Sequence, residues 1–525
     1  MTSPPASALG TNSPAGELAR DRPSDLSRVA RGSAANLLGA VVSAVCAFAL
    51  AVVVTRGMDK AAAGIFFSVT SLFLVATSIG QLGTDAGLVY FLSRARKQGR
   101  QDLIDDYLKA ALRPVLTTAV IMTLLMFVLA PQLGQLTNPH HGDQAATYLR
   151  VLAVFIVPSA AETVLLSATR GLGTMRANVV VEQIGRQCAQ VLFVALAVFL
   201  AAGAGNVAVA WSWSVPYVIA GIAAAFWWRR LRTRFVRPGV AGGSPVGRPF
   251  WRFTAPRSLA SVAQLLMQRI DIVLVGAIAG PVQAAIFTAA TRFVVAGQFG
   301  RNAVSLAVQP PLAEALARRE KSAAHDLFRT SAAWLLGITW PLYLTFCIPG
   351  SALLAIFGEG YGSGARILLL VSLGMLVATA CGDVDSVLIM SGRTSWSLTN
   401  MVVGLTVMIG LDLWLIPGHG GVGAAIGWGA AMAVKNTSAL VQVWIAYRFN
   451  PFGRATLTMA ALNLGCFAAV PLLLKLVPAP AWVTLLAGLA IGAAAYLAGL
   501  WVFRRPLELD EFRSMRRRRP ATRRM

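Results

Sequence analysis

Two apolar stretches between Pro256 and Glu320 are each interrupted by charge near the middle. They read APRSLASVAQLLMQRIDIVLVGAIAG, then PVQAAIFTAATRFVVAGQFGRNAVSLAVQPPLAEALARRE. A charged side chain at the centre of a membrane helix costs about 2.5–3.5 kcal/mol on insertion scales, so Arg269, Asp271, Arg292 and Arg301 must face protein or a cavity instead of lipid. Arg269 and Asp271 are two positions apart and point about 200° away from each other on a helix, so they serve different neighbours. Asp271 and Arg292 lie at nearly matching depths on either side of the turn at Gly280 and Pro281, which leaves two chemistries open. One is a salt bridge across the hairpin. In the other, Arg292 faces a central cavity and holds an anionic group, for which a planar, permanently charged fork is well suited. Arg301, nine residues further on, points to the opposite side and nearer the cytoplasm. Arg56, at the outer end of the first apolar run, suits a cavity rim or a snorkelling anchor. The candidate ligand-contacting set is therefore Arg292, Arg269, Asp271, Arg56 and Arg301.

A second group of ionisable residues sits inside other apolar runs. Asp85 follows Gly80, Gly83 and Thr84, where the glycines permit a bend, and suits a proton or ion site or a local cap. Glu182 and Arg186 are spaced to satisfy each other along one helix, with Glu162 able to join them. Asp383, Asp385 and Asp412 are further acids, and Lys435 has no partner on its own helix, so it forms an interhelical pair or takes part in transport. Asp85, Lys435 and Asp383 are the candidates for ion or proton coupling. No metal site is expected, because His140, His141, His325 and His419 lack ligand spacing. No cofactor is expected, and the absence of a nucleophile motif or phosphate-cradling loop argues against an enzyme.

The elements that position these groups follow from composition. The chain has 525 residues, 56% of them hydrophobic and 13% charged, with a mean hydropathy of +0.65, more apolar than a water-soluble core can use. A span needs about 20 mostly apolar residues. Runs of that kind fall near 33–55, 62–92, 108–130, 147–169, 177–202, 206–228, 255–279, 282–308, 329–350, 365–390, 397–416, 421–446, 456–475 and 481–503. The net charge of +24 is not a nucleic-acid signal here, because the Lys and Arg residues collect in alternate loops, as the positive-inside rule requires of about fourteen spans with both termini in the cytoplasm. The five cysteines all lie in apolar runs and read as packing, not as a disulfide framework. Glycines at 420, 421, 423, 427 and 429 read as close helix packing.

An internal repeat is visible: AAAGIF ends at Phe66 in the second span and VQAAIF at Phe287 in the eighth. The expected fold class is an all-α polytopic membrane protein, with two six-helix bundles related by a parallel pseudo-two-fold axis and two C-terminal helices. The expected divisions are a disordered cytoplasmic N-terminus (1–32), a first bundle (33–228), a basic linker (229–254), a second bundle (255–446), an extra helix pair (447–503) and a basic tail (504–525).

The two hairpins, TRGMDKAAAGIFFSVTSLFLVATSIGQLGTDAGLVYFLSR and RIDIVLVGAIAGPVQAAIFTAATRFVVAGQFGRNAVSLAVQPPLAEA, resemble those of the polysaccharide transporter (Wzx-like oligosaccharide flippase) family. That family belongs to the multidrug/oligosaccharidyl-lipid/polysaccharide exporter superfamily. The stretch LLAIFGEGYGSGARILLLVSLGMLVATACGDVDSVLIMSGR is similar to the family's tenth-span region, and the resemblance covers about 33 to 450. It implies two six-helix bundles around a cavity opening alternately to each side of the inner (cytoplasmic) membrane. The implied substrate is an undecaprenyl-diphosphate-linked oligosaccharide moved outward for cell-envelope polysaccharide. The implied partners are that lipid, the surrounding membrane lipids, and glycosyltransferases or a polymerase of the same pathway, with no nucleic acid. Family cavity cations lie on the first, second, seventh and eighth spans, whereas the first span here offers only Arg31 and Arg56, at its ends. An ion-coupled drug or cation exporter of the same superfamily, which needs an acidic cavity, and a membrane-embedded polysaccharide-synthesis enzyme are the competing readings.

Overall fold

The computed structural model describes residues 22–200, 207–235, 246–348, 350–474, 476 and 480–503. The expectations for residues 1–21, for the middle of the basic linker (236–245) and for the tail (504–525) lie outside the described residues. Among the described residues all regular structure is helical. In chain order the helices are α1 (Arg22–Gly57), α2 (Lys60–Gln81), α3 (Thr84–Lys97), α4 (Leu103–Val128), α5 (Ala130–Thr137), α6 (Gly142–Ala153), α7 (Ile156–Gly171) and α8 (Asn178–Leu200). They continue with α9 (Val207–Phe235), α10 (Gly247–Ala279), α11 (Pro281–Ala317), α12 (Lys321–Cys347), α13 (Gly350–Leu354) and α14 (Ala365–Ala380). The last are α15 (Val384–Met390), α16 (Thr394–His419), α17 (Gly421–Tyr447), α18 (Arg454–Leu474) and α19 (Ala481–Val502).

Each expected span falls on a helix or a broken helix. Among the described residues nine helices are long and apolar enough to cross a membrane, and eleven if each of two bent pairs counts as one. The other expected spans fall on α11, α17 and α19, the last of these with a shorter apolar run at Leu486–Val502. The second span breaks where glycines were expected to permit it: Leu82 and Gly83 adopt left-handed conformations (φ 51° and 64°) between α2 and α3. Two boundaries differ from expectation. Helix starts at Arg22 and not near residue 33, and α10 begins at Gly247, inside the expected linker. Helices outlast the hydrocarbon, so apolar run length underestimates them.

The first bundle comprises α1–α9 and the second α10–α17, with α18 and α19 set against the second. Tyr496 of α19 donates to the Gly337 carbonyl of α12 at 2.7 Å. Close packing in the second bundle rests on the expected small residues. A methyl group on Gly427 would lie 2.2 Å from Asp412 Oδ1, and one on Gly423 would lie 2.6 Å from the Leu415 backbone, so α16 and α17 approach to within backbone contact. The two bundles meet chiefly where α2 packs along both α10 and α11, with α1 against α11.

Candidate site between the two bundles

At the end of the interface nearer Gly280 and Pro281 the two halves are stitched by backbone and aromatic contacts. Asp59 caps α2 by accepting from Ala62 N at 3.1 Å. One turn further, a methyl group on Gly64 would fall 1.8 Å from the Pro281 carbonyl oxygen, so only glycine lets α2 and α11 cross here. Arg56 Nε donates to the Ile356 carbonyl at 2.7 Å, and Lys60 sits over the Tyr361 ring at 6.0 Å. Phe48, Phe293 and Phe357 form a triangle with centroids 5.3–5.8 Å apart. A second aromatic cluster seals the far end, where Tyr90 stacks on Phe253 at 4.6 Å and Phe91 meets Phe250 at 5.7 Å.

Between these seals lie Arg269 and Arg292. Arg269 is ten residues from the end of α10 and Arg292 eleven from the start of α11, so both sit about 15 Å along their helices from the turn at Gly280 and Pro281. The Nε of each is buried without a hydrogen-bond partner, and among the described residues neither has a carboxylate within ion-pair distance. Arg292 lies 6.0 Å from the ring of Phe67 on α2, across the interface. Arg269 is close enough to feel Tyr217 of the first bundle, and close enough to Arg292 for the two like charges to interact.

The remaining candidates go elsewhere. Asp271 does not pair with Arg292. It turns, as the 200° separation from Arg269 demands, toward α16, where its carboxyl faces that of Asp412. Both acids are buried, and Asp271 Oδ1 and both Asp412 oxygens lack other partners. The pairing was missed in the sequence, although the signal was present: Asp271 is eight residues from Ala279 and Asp412 seven from His419, so the two share a depth. Arg56 is at the seam beside Ile356, and Arg301 enters a pocket inside the second bundle.

Of the coupling candidates, Asp85 sits in the first turn of α3, where a helix N-terminus favours negative charge. Lys435 finds its interhelical partner in Asp385 at 2.9 Å. Asp383 accepts from Ser305 at 2.5 Å. In the first bundle Arg186 bonds Glu162 at 3.2 Å, lies 3.9 Å from Glu182, and stands over the Tyr217 ring at 4.7 Å. No group of His, Cys, Asp and Glu able to hold a metal ion occurs among the described residues.

Two helical bundles facing each other across this seam define the fold of a multi-pass helical membrane protein. A solved lipid II flippase, MurJ in an inward closed conformation, superposes with a TM-score of 0.70 at 12% identity, covering 91% of this chain and 99% of that one. An inward-facing multidrug resistance MATE family transporter of the MOP superfamily gives 0.65 at 16% identity, covering 77% and 94%. A MOP superfamily transporter from Pyrococcus furiosus gives 0.57 at 16%, covering 80% and 95%. At such identities these likenesses speak for the fold. Residues 29–315 match the polysaccharide biosynthesis protein family, more than half of the chain, and the protein belongs to that family. No curated protein matches it.

Proposed function

We propose that this protein is a flippase that moves an undecaprenyl-diphosphate-linked oligosaccharide outward across the cytoplasmic membrane by alternating access, for cell-envelope polysaccharide synthesis. The observation that carries the reading is the pair of guanidiniums, Arg269 and Arg292, level with each other at the interface, each with a buried Nε that lacks a partner. Buried charges are ordinarily paired. A diphosphate offers two anionic groups to two planar forks, and charge-assisted contacts of this kind hold strongly where water is scarce. The superfamily fold and the polysaccharide family support the same reading. Closure at both the outer and inner aromatic clusters fits an occluded intermediate of such a cycle.

Chemistry of this kind needs no bond made or broken by the protein. Arg269 and Arg292 bind and orient the headgroup, and the two seals exclude water on alternate sides. Glycosyltransferases or a polymerase would act before and after it. The basic loops support cytoplasmic termini. A cation exporter on the same fold is disfavoured by the positive sign of the seam.

The test is export of lipid-linked glycan in cells carrying Arg292→Ala or Arg269→Ala. Each lost charged contact should reduce export about 10- to 100-fold, from the ~1.5–3 kcal/mol worth of a charge-assisted hydrogen bond, while the amount of folded protein in the membrane stays constant. Arg292→Lys should restore only part of it, because an ammonium lacks the fork. Full export by the double variant Arg269→Ala, Arg292→Ala rejects the site.

A further inference from the structure

In the first bundle α1 and α8 run side by side in the same direction, and their contact can be followed along both helices. Gln183 Nε2 donates to Asn36 Oδ1 at 3.1 Å. A methyl group on Gly39 would fall 2.1 Å from Gln183 Oε1, and one on Gly57 would fall 1.9 Å from Val198 Cγ1. Between these fixed points Cys46 meets Cys188, with the two sulfurs 3.5 Å apart. The pairs Asn36 and Gln183, Cys46 and Cys188, and Gly57 and Val198 rise together along the two helices, so packing of the whole length brings the thiols face to face.

Both cysteines are free, and each lies near the middle of an apolar span, Ala35–Gly57 or Asn178–Leu200. Cys188 is exposed and Cys46 partly so, and Val45 and Leu192 beside them are exposed as well. In a bilayer such a face meets hydrocarbon. Two adjacent thiols there can pack, share a soft metal ion or join covalently. Among the described residues no group of three His, Cys, Asp or Glu side chains could hold a metal ion. A disulfide needs the two sulfurs about 1.5 Å nearer to each other, which small rotations of two side chains at an open surface supply.

We infer that Cys46 and Cys188 are a redox pair of the bilayer interior, closed by a hydroperoxide dissolved in the membrane. The hydroperoxide oxidises one thiol to a sulfenic acid and is itself reduced to an alcohol. The sulfenic acid then condenses with the second thiol, forming the S–S bond and releasing water. Two thiols and one hydroperoxide thus give one disulfide, one alcohol and one water. A membrane-permeant dithiol reopens the bond by exchange and leaves as its own disulfide. α1 also holds the second half of the molecule: Phe48 packs on Phe293 and Phe357, and Arg56 donates to the Ile356 carbonyl. The disulfide therefore ties the helix at the seam to α8 and brakes any cycle in which α1 shifts against its own bundle. The brake rests on the flippase reading, whereas the bond does not.

The test treats the full-length protein in lipid nanodiscs with cumene hydroperoxide and maps its peptides by mass spectrometry without reduction. The expected product joins Cys46 to Cys188, leaves Cys347, Cys381 and Cys466 as thiols, and reverts with a permeant dithiol. Cys46→Ala and Cys188→Ala each lose it. If methionine sulfoxide shows that the oxidant reached the protein and no such cross-link forms, the inference is overturned. Cross-linking of either cysteine chiefly to another one overturns it too. In cells, oxidation should lower export of lipid-linked glycan several-fold, with recovery after the dithiol and no change in Cys188→Ala. Undiminished export by fully cross-linked protein overturns the brake. A protein that forms the bond but exports no lipid-linked glycan in either redox state rejects the flippase reading, and the brake with it, and keeps the redox pair.

Discussion

The two bundles are built on one plan and charged on two. AAAGIF and VQAAIF open α2 and α11, and Phe66 and Phe287 are equally buried, each 2% exposed. Yet α1 and α2 carry no charged residue between positions 35 and 55 or 61 and 81, while the matching hairpin of α10 and α11 carries Arg269, Asp271, Arg292 and Arg301. The first bundle does bury an arginine, but it keeps Arg186 between its own two glutamates and over its own tyrosine. The second bundle leaves its guanidiniums open at the seam and turns its acids inward. Helix packing is thus shared between the halves, whereas under the proposed function contact with a passing anion falls to one of them. A duplicated scaffold fixes where two surfaces meet, and a few substitutions on one copy decide what is recognised there.

The sharpest way to break this comparison is to strip the first bundle of its paired arginine. Arg186→Ala strands Glu162 in the bundle at 3% exposure, and leaving a buried charge unpaired costs roughly 3–5 kcal/mol. The expected result is a large fall in thermal stability in detergent and little protein in the membrane. The double variant Glu162→Gln, Arg186→Gln should recover most of the loss. Equal instability of the single and double variants would mean that the arginine is held by packing and not by its charge partners. Arg269→Ala should show the contrary profile, with export lost and stability kept or improved, because the residue removed had no partner to strand.

Next in size is the crossing at Gly64. Valine there must displace the Pro281 backbone, and overpacking of this kind costs about 1–3 kcal/mol. The cost falls only on states in which α2 and α11 touch at the outer end. Gly64→Val should therefore populate outward-open molecules, read as a longer distance between spin labels at Met58 and Glu359, while leaving the inner aromatic cluster unchanged. A smaller displacement of the same equilibrium is expected from Arg56→Ala, which removes the two hydrogen bonds from Arg56 to the Ile356 and Ala355 carbonyls, each worth about 0.5–1.5 kcal/mol at an exposed site. If labels at the outer end do not respond to either change, the seam is not a gate.

Much of this was legible from the chain because the bilayer imposes coarse rules. Most spans announce themselves by length and apolarity, and the break of the second span is marked by Gly80 and Gly83. The opposite facing of Arg269 and Asp271 follows from helix geometry alone. What stayed hidden depends on how helices rotate against one another. Asp271 matches Arg292 and Asp412 equally well in depth, and only the packing of α10 on α16 chooses between them. Nor does any residue pattern foretell the π-helical turn at Asn178–Arg186, which carries Arg186 itself.

The smallest effect belongs to the exposed counterpart of the buried trio. Arg100 and Asp102 pair at 3.2 Å in the loop before α4. The hydrogen bond from Arg100 holds the Asp102 carboxyl below its usual range, against a small opposing cost of desolvation. A carboxyl shifted down contributes stability above its unfolded value and loses it as the pH falls through the lower folded value, so any contribution fades only in acid below about 3.8. Both groups are open to water, where screening and side-chain entropy cancel most of the attraction. Asp102→Asn should accordingly leave the melting temperature at neutral pH unchanged within error, at low and at high salt. A fall comparable to that of Arg186→Ala would show that ion-pair strength in this protein does not track burial, and the contrast between the two bundles would then lose its physical basis.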